Sequence, residues 1–260
     1  MINSFTLSFA AVDVLSQGLG VDCRAFPFQF PAVGDYVEDR VRILRAVRDD
    51  LEQRGLADTD GLNPRVVDAL RLMSRYQVAV AVLGRVDSRD LYARAAADGD
   101  RAVLAVLEGN GLAFSFVRPE SLAGAVAGLL PAAMAGPGQS VTITGRAAPR
   151  PLTEDRQEES LFARQVRPVR SVSEMRRAAA ADLLRRPKRG SGYVIVSGRD
   201  RHRTEIQAPG LNWIDTDAGR YLARADTGNG PTSSTFFPAD HARLTHQLSD
   251  LIATVATACG

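Results

Sequence analysis

Asp215-Thr216-Asp217-Ala218-Gly219 follows the apolar residues Leu211, Trp213 and Ile214, and it is the segment best placed to do chemistry. A strand that ends in Asp-x-Asp can offer one carboxylate as a nucleophile and hold a metal ion between the two. That is the chemistry of a metal-dependent phosphatase, with Asp215 and Asp217 as its two acids. Two features oppose this reading. Gly219 stands where such sites carry Thr or Val, and the motif comes so late that little chain remains for a parallel sheet. As a calcium loop it fares no better: Gly219 and Arg220 fall at the fifth and sixth positions, where a ligand and a glycine are needed, and Asp226 falls at the twelfth, where a bidentate Glu is usual. The plain alternative is a β-turn whose aspartate bonds its own backbone.

Other catalytic chemistry finds little support. The three histidines are His202, His241 and His246. The last two lie five positions apart, about 140° around a helix, so they cannot share a metal as an i, i+4 pair would. The glycine pairs beginning at Gly109, Gly190 and Gly228 lack the third glycine and the adjoining helix of a dinucleotide fingerprint. Cys23 and Cys259 stand near opposite ends without a CxxC partner, as suits two thiols in a reducing compartment. The expectation is therefore a chain with no catalytic residues, no metal and no cofactor.

The elements around these residues can be read from periodicity. Helices are expected from about Val37 to Arg54, stopped by Gly55, and from about Arg65 to Arg75, entered by Pro64. A β-branched run at Val78 to Leu83 opens a strand region that continues through Leu91 to Ala96, Val103 to Leu107 and Leu112 to Val117. Asp98-Gly99 and Gly109-Asn110-Gly111 are its turns, and turns this short join only antiparallel neighbours. Leu122, Val126, Leu129 and Leu130 form a helical stripe. A connector from about Ala135 to Pro168 carries a possible strand at Val141 to Thr144 and an acidic stretch from Glu154 to Glu159. A helix with Met175, Ala179 and Leu183 on one face follows, with Ser171 and Glu174 at capping-box spacing. Strands at Tyr193 to Val196, Trp213 to Asp215, Tyr221 to Ala225 and Ser233 to Phe237 come next. Leu244, Leu248, Leu251, Ile252 and Val255 then make the cleanest amphipathic helix in the chain.

Part of this plan repeats. Asp98, Arg101, Gly109, Asn110, Gly111, Ser115 and Pro119 recur as Asp217, Arg220, Gly228, Asn229, Gly230, Ser234 and Pro238, always 119 positions on. Seven identities in a 22-residue window exceed the roughly one or two that composition alone would supply. The expectation is an α+β fold of two pseudo-two-fold-related halves, each an antiparallel sheet with flanking helices. The first half spans about 1–134, a connector about 135–170, and the second half about 171–260.

Whole-chain properties narrow the function further. The 32 basic and 30 acidic residues leave a formal charge of +2, against the concentrated basic face of a nucleic-acid binder. Only Lys188 is a lysine; with the many alanines, this points to a GC-rich, actinobacterial genome. No signal peptide is visible and no apolar run is long enough to span a bilayer, so the cytoplasm is the expected compartment.

Several segments together carry a resemblance. They are Arg54-Gly55-Leu56-Ala57-Asp58, Leu70-Arg71-Leu72-Met73-Ser74-Arg75 leading into Val78-Ala79-Val80-Ala81-Val82, and Ala95-Ala96-Ala97-Asp98-Gly99-Asp100-Arg101-Ala102-Val103. To these are added Gly138-Gln139-Ser140-Val141-Thr142, Arg186-Pro187-Lys188-Arg189-Gly190-Ser191-Gly192 and, most distinctive, Trp213-Ile214-Asp215-Thr216-Asp217-Ala218-Gly219-Arg220-Tyr221. In order and spacing, from about Thr6 onward, they resemble the EspG family of type VII (ESX) secretion chaperones. The resemblance implies a cytoplasmic, non-enzymatic protein that binds the helical tip of the PPE subunit of a PE–PPE heterodimer, with its contact surface on the central sheet and C-terminal helices. The expected interface is the second-half sheet with the Pro238 to Val255 helix, and Tyr193, Trp213, Phe236 and Phe237 are its aromatic candidates, each of which could equally belong to the core. The bound form is expected to be a monomeric cap. A scaffold of the same secretion system that has lost substrate binding is a further reading.

Overall fold

Tight turns fold the chain repeatedly onto itself to build one large sheet. The structure is a computed structural model and describes residues 2–30, 37–144, 185–226 and 233–260. Strands β4 (Val78–Val86), β5 (Arg89–Asp98), β6 (Arg101–Glu108) and β7 (Gly111–Val117) form an antiparallel meander. Asp87 and Ser88 join β4 to β5 with φ of 46° and 67°, the double left-handed turn that matches the twist of its strands. Gly99 and Gly109, at φ of 57° and 59°, serve the next two turns. β1 (Ser4–Ser8) comes from the start of the chain and lies antiparallel to β7, with the Phe5 and Phe114 rings stacked 5.1 Å apart.

The second set is β8 (Val141–Thr144), β9 (Lys188–Arg199), β10 (Glu205–Gln207), β11 (Leu211–Thr216), β12 (Gly219–Asp226) and β13 (Ser233–Pro238). β4 and β9 pair antiparallel along the seam, from Val78 opposite Gly198 to Val86 opposite Gly190. The order across the sheet is β1-β7-β6-β5-β4-β9-β11-β12-β13-β8, with β10 attached to β9. Outward from the seam, each side is a four-strand meander closed by a strand from earlier in the chain. A separate small hairpin, β2 (Ala57–Asp58) and β3 (Gly61–Leu62), lies off the sheet.

Both faces of the sheet are covered over the first half, which is why β4 opens as an unbroken apolar run. All of Val78 to Val82 is buried, as expected of a strand shielded on both sides. On one face lie α4 (Leu122–Ala127) and the C-terminal helix α5 (His241–Cys259). Leu122, Val126, Leu244, Leu248 and Val255 pack there on Val80, Val82, Val194, Val196, Trp213 and Leu222. On the other face lie α1 (Phe9–Leu19), α2 (Val37–Gln53) and α3 (Pro64–Ser74), over Ala79, Ala96, Val103 and Phe114. Local chemistry fixes the helix ends. Ser8, Asn63 and Asp240 each accept a backbone N–H at an N-terminus, satisfying donors the helix cannot. α1 closes on Gly20 in the left-handed region.

The sheet corrects the expected residue-by-residue repeat. Leu104 lies on the α4/α5 face while Val103 lies on the other, so Arg101 belongs with Val103; accordingly it pairs with Asp68 of α3 at 3.2 Å. Its sequence match Arg220 lies instead on the α4/α5 face, in step with Leu222. The β5–β6 turn is closed by Asp98 opposite Arg101 and the β11–β12 turn by Thr216 opposite Gly219, so the place of Arg101 is taken by Gly219, one residue before Arg220, and in a period-two strand a slip of one residue changes the face. Strand order therefore repeats across the seam, but the matched residues do not occupy equivalent places. Of the other expected elements, the helix around Met175 to Leu183 and the acidic stretch lie outside the described residues. Among those described, no helix is long and apolar enough to cross a membrane.

Candidate partner-binding surface

The second-half strands send alternate side chains to opposite faces. Val194, Leu211, Trp213, Leu222 and Phe237 face α4 and α5 and are buried in the core. Trp213 is 1% exposed. Its indole lies over the seam where Gly84 faces Gly192, and a Cβ on Gly192 would come within 2.2 Å of the indole Cη2. Two glycines thus make the bed for the ring. Phe237, 7% exposed, also carries the Arg243 guanidinium 4.9 Å from its ring centroid. Neither ring offers free surface to a partner in this arrangement.

Tyr193 and Phe236 lie on the opposite face, half-buried. Backbone register aligns them in one row, in which Tyr92, Leu83, Tyr193, Asn212, Ala223, Phe236 and Val141 stand opposite one another on seven strands from β5 to β8. At about 4.8 Å per strand, Tyr193 and Phe236 are roughly 14 Å apart. Phe26, 41% exposed, stacks on Tyr193 at 6.2 Å. Arg94 of β5 sets the position of Phe26: its Nη1 donates to the Phe26 carbonyl at 2.6 Å, while its guanidinium lies 4.9 Å from the Tyr76 ring. Burial pulls the Arg94 guanidinium below its ordinary range, with nearby Tyr76 and Glu205 opposing that shift and Arg199 adding to it. Phe26 escaped the sequence reading, because its segment is irregular and its like-spaced neighbours Phe28 and Phe30 are buried.

The two candidate acids do not form a catalytic pair, which corrects the phosphatase reading. β11 and β12 are an antiparallel hairpin, so Asp215 does not end a parallel strand. Its two oxygens accept from Arg220 Nε at 2.6 Å and Nη2 at 2.8 Å. Arg220 is fully buried and Asp215 nearly so. Asp217 is exposed in the turn, 3.9 Å from Arg186. Arg220 also donates to the Pro131 carbonyl at 2.8 Å, and its own carbonyl accepts from Gly136 and Ala239. It therefore ties the chain after α4 to the hairpin and to the entry of α5. Cys23 is likewise structural: its Sγ donates to the Leu70 carbonyl, and burial pushes the thiol up to about 11.

Comparison with known proteins now has a fold and a surface to bear on. The EspG family model matches residues 8–250. The chain belongs to the EspG family. The solved Mycobacterium tuberculosis type VII secretion system chaperone EspG5, in complex with the PE25-PPE41 dimer, has the same fold. The two align with a TM-score of 0.62 at 13% sequence identity over 96% of each chain. A comparison with curated protein sequences returned no match. EspG membership accounts for the α+β architecture. In the Trp213 to Tyr221 block, Trp213 and Arg220 lie inside the fold, and the two aspartates serve a hairpin.

Proposed function

We propose that this EspG-family protein is a non-enzymatic, cytoplasmic secretion chaperone. It binds the helical tip of the PPE subunit of a PE–PPE heterodimer and keeps the pair soluble until a type VII (ESX) system takes it. The observation that carries this reading is the family match over most of the chain, supported by the fold shared with a chaperone solved in complex with a PE–PPE dimer. The physical logic is that a helical tip with exposed apolar side chains self-associates in water, and a folded cap removes that surface.

The contact surface in this proposal is the row on the face away from α4 and α5, with Phe26, Tyr193 and Phe236 as anchors. Tyr193 and Phe236, on strands, lose little conformational freedom on binding, and Phe26 is stacked on Tyr193. Trp213 and Phe237 contribute by holding the sheet beneath. We also take the two five-strand sides to be related by a pseudo-two-fold axis through the β4/β9 seam, on the strength of their matching order, with the first half at about 1–134, a connector at about 135–170 and the second half at about 171–260.

Co-expression with the PE–PPE pair from the same genome, followed by size exclusion, tests the function. One peak containing all three chains is expected. Separate elution at micromolar concentration would refute it.

A further inference from the structure

Where β9 turns back into β10, the end of the seam carries a pocket of about 370 Å³. Four arginines line it from three elements. Arg75 follows α3, Arg199 ends β9, and Arg201 and Arg203 lie in the turn to β10. The carboxylates of its lining are Asp98 and Asp200, and Asp200 is already engaged. Its Oδ1 accepts from the His202 and Thr204 N–H groups, both at 2.8 Å, and so shapes the turn. Among the described residues, none of the four arginines forms an ion pair. Arg199 lies 4.8 Å from the Tyr76 ring centroid, and its Nη1 donates to the Ser74 carbonyl at 3.4 Å. That bond serves the last turn of α3, a common use of a cation at a helix C-terminus. The side chains of Arg75, Arg201 and Arg203 make no such contact among the described residues. A fifth guanidinium, that of Arg94, stands 4.9 Å from the same ring with its Nε buried and unpartnered. Burial pulls it down and Arg199 adds to that shift, opposed by Tyr76 and by Glu205, which stands opposite Arg199 on β10. Arg203 has a φ of 62°. That conformation favours glycine, yet the turn keeps a cation there.

We propose that this pocket binds a phosphoryl anion, either free phosphate or diphosphate or the diphosphate of a nucleotide, through Arg75, Arg199, Arg201 and Arg203. The number of arginines selects the class of ligand. One guanidinium fork satisfies both oxygens of a carboxylate, so four exceed what a single acidic side chain can accept. A diphosphate offers more charge and a tetrahedral array of oxygens that several forks can share. The site is also separate from the row that holds Tyr193. From Leu83 in that row to Val78 at the seam end is five residues of β4, or roughly 17 Å. Its occupancy therefore does not depend on the chaperone reading.

Isothermal titration of the full chain with inorganic pyrophosphate, ADP and a tetraglutamate peptide at low ionic strength tests this. Pyrophosphate is expected to bind saturably, and more weakly as salt is raised. Arg201→Gln should weaken it at least about tenfold, through the loss of one charged contact. Arg203→Gly should weaken it as much while the melting temperature holds or rises, because glycine suits that φ. ADP bound no more tightly than pyrophosphate makes a free anion the ligand, and tighter ADP makes it a nucleotide; either result supports the site. Absence of saturable binding, or pyrophosphate affinity that either variant retains, would overturn the proposal. So would a tetraglutamate peptide bound more tightly than pyrophosphate; that result assigns the arginines to an acidic polypeptide.

Discussion

Both carboxylate oxygens of Asp215 are bonded to a guanidinium that water does not reach. Taking two charges out of water is costly, and the pair is held by two hydrogen bonds between its partners and one from Arg220 to the Pro131 carbonyl, with Arg220 Nη1 left buried without a hydrogen-bond partner. Removing one partner leaves a buried charge, so Asp215→Ala should destabilise the fold by roughly 3–5 kcal/mol, read from urea denaturation. Replacing both, as Asp215→Ala with Arg220→Met, should cost clearly less than the single change; equal or greater loss would contradict this account. Gly192→Ala tests the bed of Trp213. With the indole at 2.2 Å and the Leu83 carbonyl at 2.4 Å from the new methyl, the backbone must move, at a cost of about 1–3 kcal/mol. A neutral result would show that the seam is looser than described. Cys23 adds a pH dependence. Its folded-state thiol, at about 11, lies above the ordinary 9.0, so the folded form holds its proton more tightly than the unfolded chain does. Its contribution is complete below pH 9 and falls by about 1.4 kcal/mol per pH unit between 9 and 11. Cys23→Ala should flatten that part of the stability profile, and an unchanged slope would locate the titration elsewhere.

At the scale of elements, strong periodicity and turn chemistry were legible, and weak amphipathy was not. The expected helix at Val37 to Arg54 is Val37–Gln53, and the possible strand at Val141 to Thr144 is present with those bounds. β1 and α1 were missed. Leu7, Ala11, Val12, Asp13, Val14 and Leu15 are all buried, and a helix wrapped on several sides shows no polar face to read. Asp13 sits among them because Arg24 and Arg40 reach its carboxylate, contacts that form only after folding. The aromatic candidates met the same limit. A strand's alternation separates Tyr193 from Val194 and Phe236 from Phe237, but which face a helix will cover is a tertiary fact. The two sets should behave differently when mutated. Phe237→Ala leaves a cavity under α5 and should cost about 3–5 kcal/mol, seen as a lower denaturation midpoint, whereas Phe236→Ala on the half-buried face should cost much less. Similar losses for both would contradict the assignment of faces.

At the scale of the molecule, the described residues form a continuous sheet with α4 and α5 on one face and α1 to α3 on the other. Repetition in the sequence suggested two similar halves, and the structure has two strand sets of the same order joined at β4 and β9 into one sheet. The repeat misplaced the residue correspondence by one position, because Asp98 to Arg101 aligned with Asp217 to Arg220 although the equivalent turn runs from Thr216 to Gly219. Membership of the EspG family and the row from Tyr92 to Val141 give the molecule its proposed role, a rigid face on which another polypeptide is held. The most direct measurement is the affinity of the cognate PE–PPE pair for Tyr193→Arg, Phe236→Arg and wild-type protein by isothermal titration. The account predicts at least about tenfold weaker binding for each variant, about 1.4 kcal/mol, with melting temperatures close to wild type. Undiminished binding by two folded variants would contradict it.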